Sequence, residues 1–248
     1  MKIKKILKRA GLTILSIAIL YLGLLLYPTI LFANKISYKN VTVYSDRQIE
    51  PEISSVIDEA ILRVSKSELY DSSIKFNIYI CNDLWRFSIF TQGNKGVGAV
   101  CHIYFTGNIF IRPSDIPNNK IIPPKEWYSA KIPFTFSDRP LTYYFAHEMT
   151  HKLQVSYKGK LRYFKQPLWL TEGYADYIGK GNDFDFQENL KLWHSNAPEL
   201  DPKQGLYRLY HLKIAYLIDK KSRTIKDLYN KLPEDKNLND ELWSLKTD

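Results

Sequence analysis

The chain has 248 residues and a formal net charge of +9. Five basic residues, Lys2, Lys4, Lys5, Lys8 and Arg9, stand in the first ten positions, and subtracting them leaves +4 for everything else. With no concentrated basic stripe and no finger spacing, nucleic acid is excluded as the expected partner; the N-terminal lysines more simply set membrane topology and touch anionic lipid.

Residues 11–32 are 22 positions without a charge, long enough to cross a bilayer as a helix. The positive-inside rule then leaves residues 1–10 as a basic cytoplasmic tail and residues 34–248 outside the cytoplasm, a single-pass arrangement. A cleaved signal peptide is the rival reading. Its apolar region is unusually long, and a site near Ala33 would have Leu31 where a small residue is required. The remaining 215 or so residues suffice for one domain with a real core.

After the apolar run, residues 36–44 alternate and are rich in β-branched and aromatic side chains, as a strand requires. Residues 48–65 carry Ile53, Val56, Ile57, Ala60, Ile61 and Val64 at the helical period. A second strand is expected at 74–80, a short helical turn at 82–90, a glycine-rich loop at 91–98, and a hairpin from 99–105 and 108–111. Six prolines (113, 117, 123, 124, 133 and 140) interrupt 112–140. Trp127, Tyr128, Phe134 and Phe136 mark that stretch as a packed excursion that could wall or cover a cleft. Helices follow at 138–157, capped by Ser137 or Asp138, and at 168–178, 206–220, 224–232 and 237–244. Strands come first and helices last, so the expected class is α+β with segregated layers rather than βαβ alternation. Cys81 and Cys101 both fall in candidate strands; a disulfide and two buried thiols remain equal alternatives.

Residues 147–151 read His-Glu-Met-Thr-His, inside an expected helix. Positions i and i+4 share one helix face, so His147 and His151 can grip one metal ion, with Glu148 beside them as general base. Glu172, 21 positions after His151, lies among apolar neighbours where an unpaired carboxylate would be costly, and it is the expected third ligand. His194, His102 and His211 are the competing ligands. Asp176, one turn beyond Glu172, is placed to accept the free ring N–H of a ligand, His147 first. No Gly-x-Ser-x-Gly elbow or phosphate loop occurs.

The pair of segments HEMTH and PLWLTEGYADY resembles the gluzincin-type zinc metallopeptidases, the thermolysin- and aminopeptidase-like superfamily, and within it the small bacterial "peptidase MA-like" proteins. The specific likeness covers residues 141–178. It implies a zincin-like α+β fold with an N-terminal mixed sheet, C-terminal helices and one preceding transmembrane helix. It also implies zinc held by His147, His151 and Glu172, Glu148 as base and Asp176 behind His147. Such sites also use a tyrosine or histidine after the third ligand to stabilise the oxyanion; Tyr207 is favoured over Tyr210, with His211 nearby. An edge strand that pairs with extended substrate is expected from 98–105 or 108–112, while Arg112 is expected at the surface. The Gly-x-Met-Glu-Asn run that reads a free amine in aminopeptidases is missing, and Gly-Val-Gly-Ala at 96–99 offers no carboxylate. The expected activity is therefore endopeptidase cleavage of peptides or proteins outside the cytoplasm. The alternatives are a metal-dependent amidase on cell-wall peptide and a membrane-anchored assembly protein with a structural zinc. No substrate-binding residue or oligomeric state is assigned.

Overall fold

The computed structural model describes residues 2–123, 139–201 and 207–247. The proposed caps Ser137 and Asp138, and the aromatic residues Trp127, Tyr128, Phe134 and Phe136, lie outside the described residues. Helix α1 (Lys2–Leu26) opens the chain. It stops six residues short of the end of the apolar run, because Pro28 begins a short 3-10 turn and Phe32 is buried in the body of the protein.

The central sheet is mixed, in the order β1-β2-β3-β5-β4. Strands β1 (Asn34–Tyr38) and β2 (Val41–Ser45) are antiparallel, and β2 runs parallel to β3 (Phe76–Ile80). Strand β3 runs parallel to β5 (Ile109–Ile111), which pairs antiparallel with the edge strand β4 (Ala99–Cys101). Two sequence expectations need correction. The single strand at 36–44 is a hairpin that turns at Lys39 and Asn40, with Lys39 at φ 54; alternation continues across so tight a turn and hides it. The layers are also not fully segregated, since β2, helix α2 (Ile53–Val64) and β3 form one β-α-β crossover. The α+β class stands, with a mixed sheet first and helices after it.

Period-two alternation gives the sheet two different apolar faces. Val41, Val43, Phe76, Ile78, Ile80, Ile109 and Ile111 point into the main core, with the buried stripe of α2 and the later helices. Tyr44, Tyr79 and Phe110, in register on adjacent strands, point the other way. Their rings stack at 4.7 and 5.0 Å, and Phe90 of helix α3 (Leu84–Phe90) adds another layer at 4.0 Å. Cys81 belongs to this outer cluster and Cys101 to the inner one. The sheet therefore separates them, and both are free thiols, raised by burial. A small ribbon, β6 (Ser114–Asp115) and β7 (Lys120–Ile121), follows. Arg112 is not on the surface: it is buried and gives its guanidinium hydrogens to the carbonyls of Ile122, Lys95 and Val97.

The helical part contains α4 (Leu141–Lys158), the single turn α5 (Lys160–Tyr163) and α6 (Leu168–Lys180). Then come α7 (Phe186–His194), α8 (Arg208–Ala215) running into a π-helical turn, α9 (Ile225–Asn230) and α10 (Asp235–Ser244). Helix α7 went unread in the sequence, although its start is legible: Asp185 accepts the Glu188 N–H at 2.9 Å. The cap of α4 comes from far away in sequence. Asn119, in the β6–β7 turn, accepts from the N–H groups of Leu141 and Thr142.

Helix α6 is packed between α4 and α8. A Cβ on Gly173 would lie 2.6 Å from the Tyr210 carbonyl oxygen, so only glycine permits the approach of α8. Replacing Gly173 by Ala should therefore cost about 1–3 kcal/mol through backbone displacement, despite alanine's better helix propensity. Thermal unfolding of the detergent-solubilised chain checks this: an unchanged or raised Tm would mean that α8 does not sit where it is described.

Candidate metal centre

Helix α4 is buried along most of its length, and three of its polar residues, His147, Glu148 and His151, are buried with it. Such desolvation has to be compensated. Glu172, from α6, meets the two histidines. Its Oε2 lies 3.4 Å from His147 Nε2 and 3.5 Å from His151 Nε2, and the two Nε2 atoms are 3.2 Å apart. Gly179 allows the helices this close, since a Cβ there would press on Tyr143 at 3.1 Å and on the His147 Cβ at 3.3 Å.

The surrounding hydrogen bonds decide where the imidazole protons are. Gln154 donates its amide to the Thr171 carbonyl, which turns its oxygen toward His151 Nδ1 at 3.2 Å. An oxygen acceptor there requires a proton on Nδ1. Tyr143 donates its hydroxyl proton to Asp176 at 2.5 Å, so its oxygen accepts from His147 Nδ1 at 3.3 Å. Both Nε2 atoms of the neutral rings then carry lone pairs. With both rings neutral, two imidazole nitrogens and a carboxylate oxygen turn their lone pairs on one point, an arrangement that repels itself until a cation or a proton enters. The fit to zinc is close: tetrahedral bonds of about 2.0–2.2 Å place ligand atoms about 3.3–3.6 Å apart, against 3.2, 3.4 and 3.5 Å here.

The electrostatics agree. Burial alone would raise Glu172, yet His151 and His147 hold it well below the usual carboxylate range. Burial would lower His151, but Glu172 outweighs it and holds the ring at about 9; a proton takes the cation's place when no metal competes. Glu148 does not join the ligand triangle. Burial raises it above an ordinary carboxylate, against the pull of His147 and His151. It accepts a hydrogen bond from the main chain of Cys101, which ties this carboxylate to edge strand β4. The alternative edge at 108–112 is interior, because β5 lies between β3 and β4.

The expected contact of Asp176 with His147 is indirect. The Asp176 carboxylate accepts from Tyr143 and from His211 Nδ1 at 2.9 Å, with Arg139 at 3.6 Å and Lys180 at 4.0 Å. Tyr143 fills the space between Asp176 and the metal-facing ring. Burial would raise Asp176, but Lys180, His211 and Arg139 hold it well below its usual range. Tyr163 supports His151 in parallel, its hydroxyl 2.9 Å from Nδ1. Tyr143 and Gln154 were readable as neighbours one turn from His147 and His151; Tyr163 and Arg139 reach the site only through the fold.

The three competing histidines are engaged elsewhere. His102 reaches the Phe90 carbonyl at 2.6 Å, His194 the Leu242 carbonyl at 3.3 Å, and His211 is bound to Asp176. His194 is the last residue of helix α7. Among the described residues the cluster of possible ligands is His147, His151 and Glu172 alone. Tyr207, in a left-handed conformation at φ 50 just before α8, lays its ring against His147 at 5.9 Å and nearly parallel. Burial, then Glu172, raises its phenol, so it stays protonated. Tyr210 stacks behind it at 6.1 Å.

Two outcomes follow for purified protein. Tyr143→Phe should weaken zinc affinity about 10- to 100-fold, measured by competition with a chromogenic chelator, while Tyr177→Phe leaves it unchanged. Asp176→Asn removes the buried carboxylate that accepts from Tyr143 and His211 and faces Arg139 and Lys180, and should cost about 3–5 kcal/mol at neutral pH. The Asp176 carboxylate is depressed in the fold, so its contribution is complete above its unfolded value, near about 4, and disappears as pH falls through the folded value. The deficit of the variant in denaturant titrations should therefore shrink below about pH 4.

No family model, curated relative or solved structure matches the chain. What the site itself shows is the catalytic motif His-Glu-x-x-His with a downstream glutamate, spatially clustered and partly buried, as in the gluzincin-type zinc metallopeptidases.

Proposed function

We propose that the chain is a membrane-anchored zinc endopeptidase that cleaves extended peptide or protein segments outside the cytoplasm. The observation that carries this reading is the position of Glu148: a buried carboxylate beside three metal-facing lone pairs, hydrogen-bonded to the last residue of an edge strand. A structural zinc site has no need of such a base and closes with a fourth protein ligand; the remaining histidines are committed elsewhere.

His147, His151 and Glu172 would hold the zinc, which when bound supplies a Lewis acid for the scissile carbonyl and makes water a nucleophile at neutral pH. The chain's own groups do the rest. Glu148 removes a proton from the attacking water and returns it to the leaving amine, and its burial raises its basicity toward that task. Tyr207 donates its hydroxyl to the developing oxyanion. Tyr143 and Gln154 hold the two imidazoles in the tautomer that presents Nε2. Strand β4 offers its edge to the substrate main chain, a pairing that reads backbone and leaves side-chain choice to pockets. The absence of a carboxylate at 96–99 to bind a free amine favours internal cleavage.

Glu148→Gln should keep stoichiometric zinc and lose about 10²–10⁴ in turnover, and Tyr207→Phe should lower kcat about 10²–10³ with little change in KM. Full activity in the Glu148→Gln variant would remove this carboxylate from the chemistry. A diverse peptide library, digested with zinc and with chelator, separates the modes: internal cuts support the endopeptidase, and cuts confined to peptide ends overturn it.

A further inference from the structure

The end of α1 is not a free tether. Leu25 and Phe32 are buried against Tyr79, Phe87, Phe90 and Phe110 on the outer face of the sheet, with Tyr21, Leu24 and Leu31 packed around them. Tyr21, five residues before the end of α1, donates its hydroxyl to the Ile89 carbonyl of α3 at 2.8 Å. Five residues of helix are about 8 Å. If α1 spans a bilayer, the reading on which this inference rests, the backbone of α3 descends that far alongside it. A carbonyl at such depth must find a donor within the protein, and the Tyr21 hydroxyl is that donor.

Length points the same way. The uncharged part of α1, Ala10–Leu26, has 17 residues. That is about 26 Å of helix, a few ångströms less than a hydrocarbon core of about 30 Å. Residues just beyond Leu26 are placed to make up the difference. Just beyond it stand Tyr27 and Ile30, 70% and 75% exposed, and on the neighbouring α3 stand Leu84 and Trp85, 46% and 52% exposed. Tyrosine and tryptophan are the residues of the membrane interface. Arg86 lies over the Trp85 ring at 4.4 Å, and Arg47, paired with Asp83, exposes most of its side chain nearby.

We infer that α3, with Tyr27 and Ile30, is a membrane-docking surface, inserting Leu84 and Trp85 into the interfacial zone of the same bilayer that α1 crosses. The catalytic helices lie on the opposite face of the sheet. The site is thus carried at a set height above the lipid on a seated body, and its reach is limited to substrate close to the membrane.

Nitroxide labels on the full chain in phosphatidylcholine–phosphatidylglycerol nanodiscs test this, using Trp85→Cys, Ile30→Cys, Leu15→Cys and Trp243→Cys, one at a time. Cys81 and Cys101 are buried, and the unsubstituted chain serves as the labelling blank. Accessibility to oxygen and to a neutral nickel chelate reports depth. Labels at 85 and 30 should favour oxygen several-fold, less than a label at 15, while a label at 243 favours the nickel chelate. A label at 85 that behaves like 243 while 15 reads lipid overturns the docking and leaves the anchor intact. Exclusion of both reagents at 85 overturns it in favour of a protein partner. An aqueous reading at 15 overturns both the docking and the membrane span.

Discussion

Three donor atoms held 3.2 to 3.5 Å apart, which need a cation or a shared proton between them, form the constraint around which this protein is organised. Without either they repel one another, and a dense surrounding structure keeps them together. The supply of that structure explains otherwise costly choices. The fourteen positions from Pro140 to Leu153 are almost wholly buried although they include two histidines and a glutamate. Glycines interrupt α6 at 173 and 179, where helix propensity alone would reject them, because α8 and α4 must come close on either side.

Behind the ligands lies a chain of donors and acceptors with each proton assigned. His147 leans on Tyr143, Tyr143 on Asp176, and Asp176 on His211, Lys180 and Arg139. A single carboxylate balances several cationic or donor groups in a buried space, so its removal harms both the fold and the orientation of the ring. On the other side, Gln154 is pinned by Thr171 and in turn pins His151. Networks of this kind are worth having only when fully satisfied, since any orphan group in a low-dielectric interior is expensive.

The sheet divides the labour. Its inner face supports the metal helices, and its outer aromatic ladder receives the end of α1 and α3. The edge strand β4 joins the two functions, through Val100 on the outer side and through the Cys101 hydrogen bond to Glu148 on the inner.

Much of this was legible from local pattern. The period of α2 marks its buried face, and the spacing of His147, Glu148 and His151 on one helix marks a candidate metal site. The place of Glu172 among apolar neighbours marks a candidate third ligand. These are short-range signals, set by 3.6 residues per turn and by the cost of burying charge. The tertiary structure alone decided the matters that depend on contacts between distant segments. It placed Tyr143 between Asp176 and His147, brought Tyr163 to His151, and drew the cap of α4 from Asn119. It also put Cys81 and Cys101 on opposite faces of the sheet, buried Arg112, and committed His194 and His211 elsewhere. A side chain's neighbours across space are set by packing, and packing leaves no periodic trace in the order of the residues.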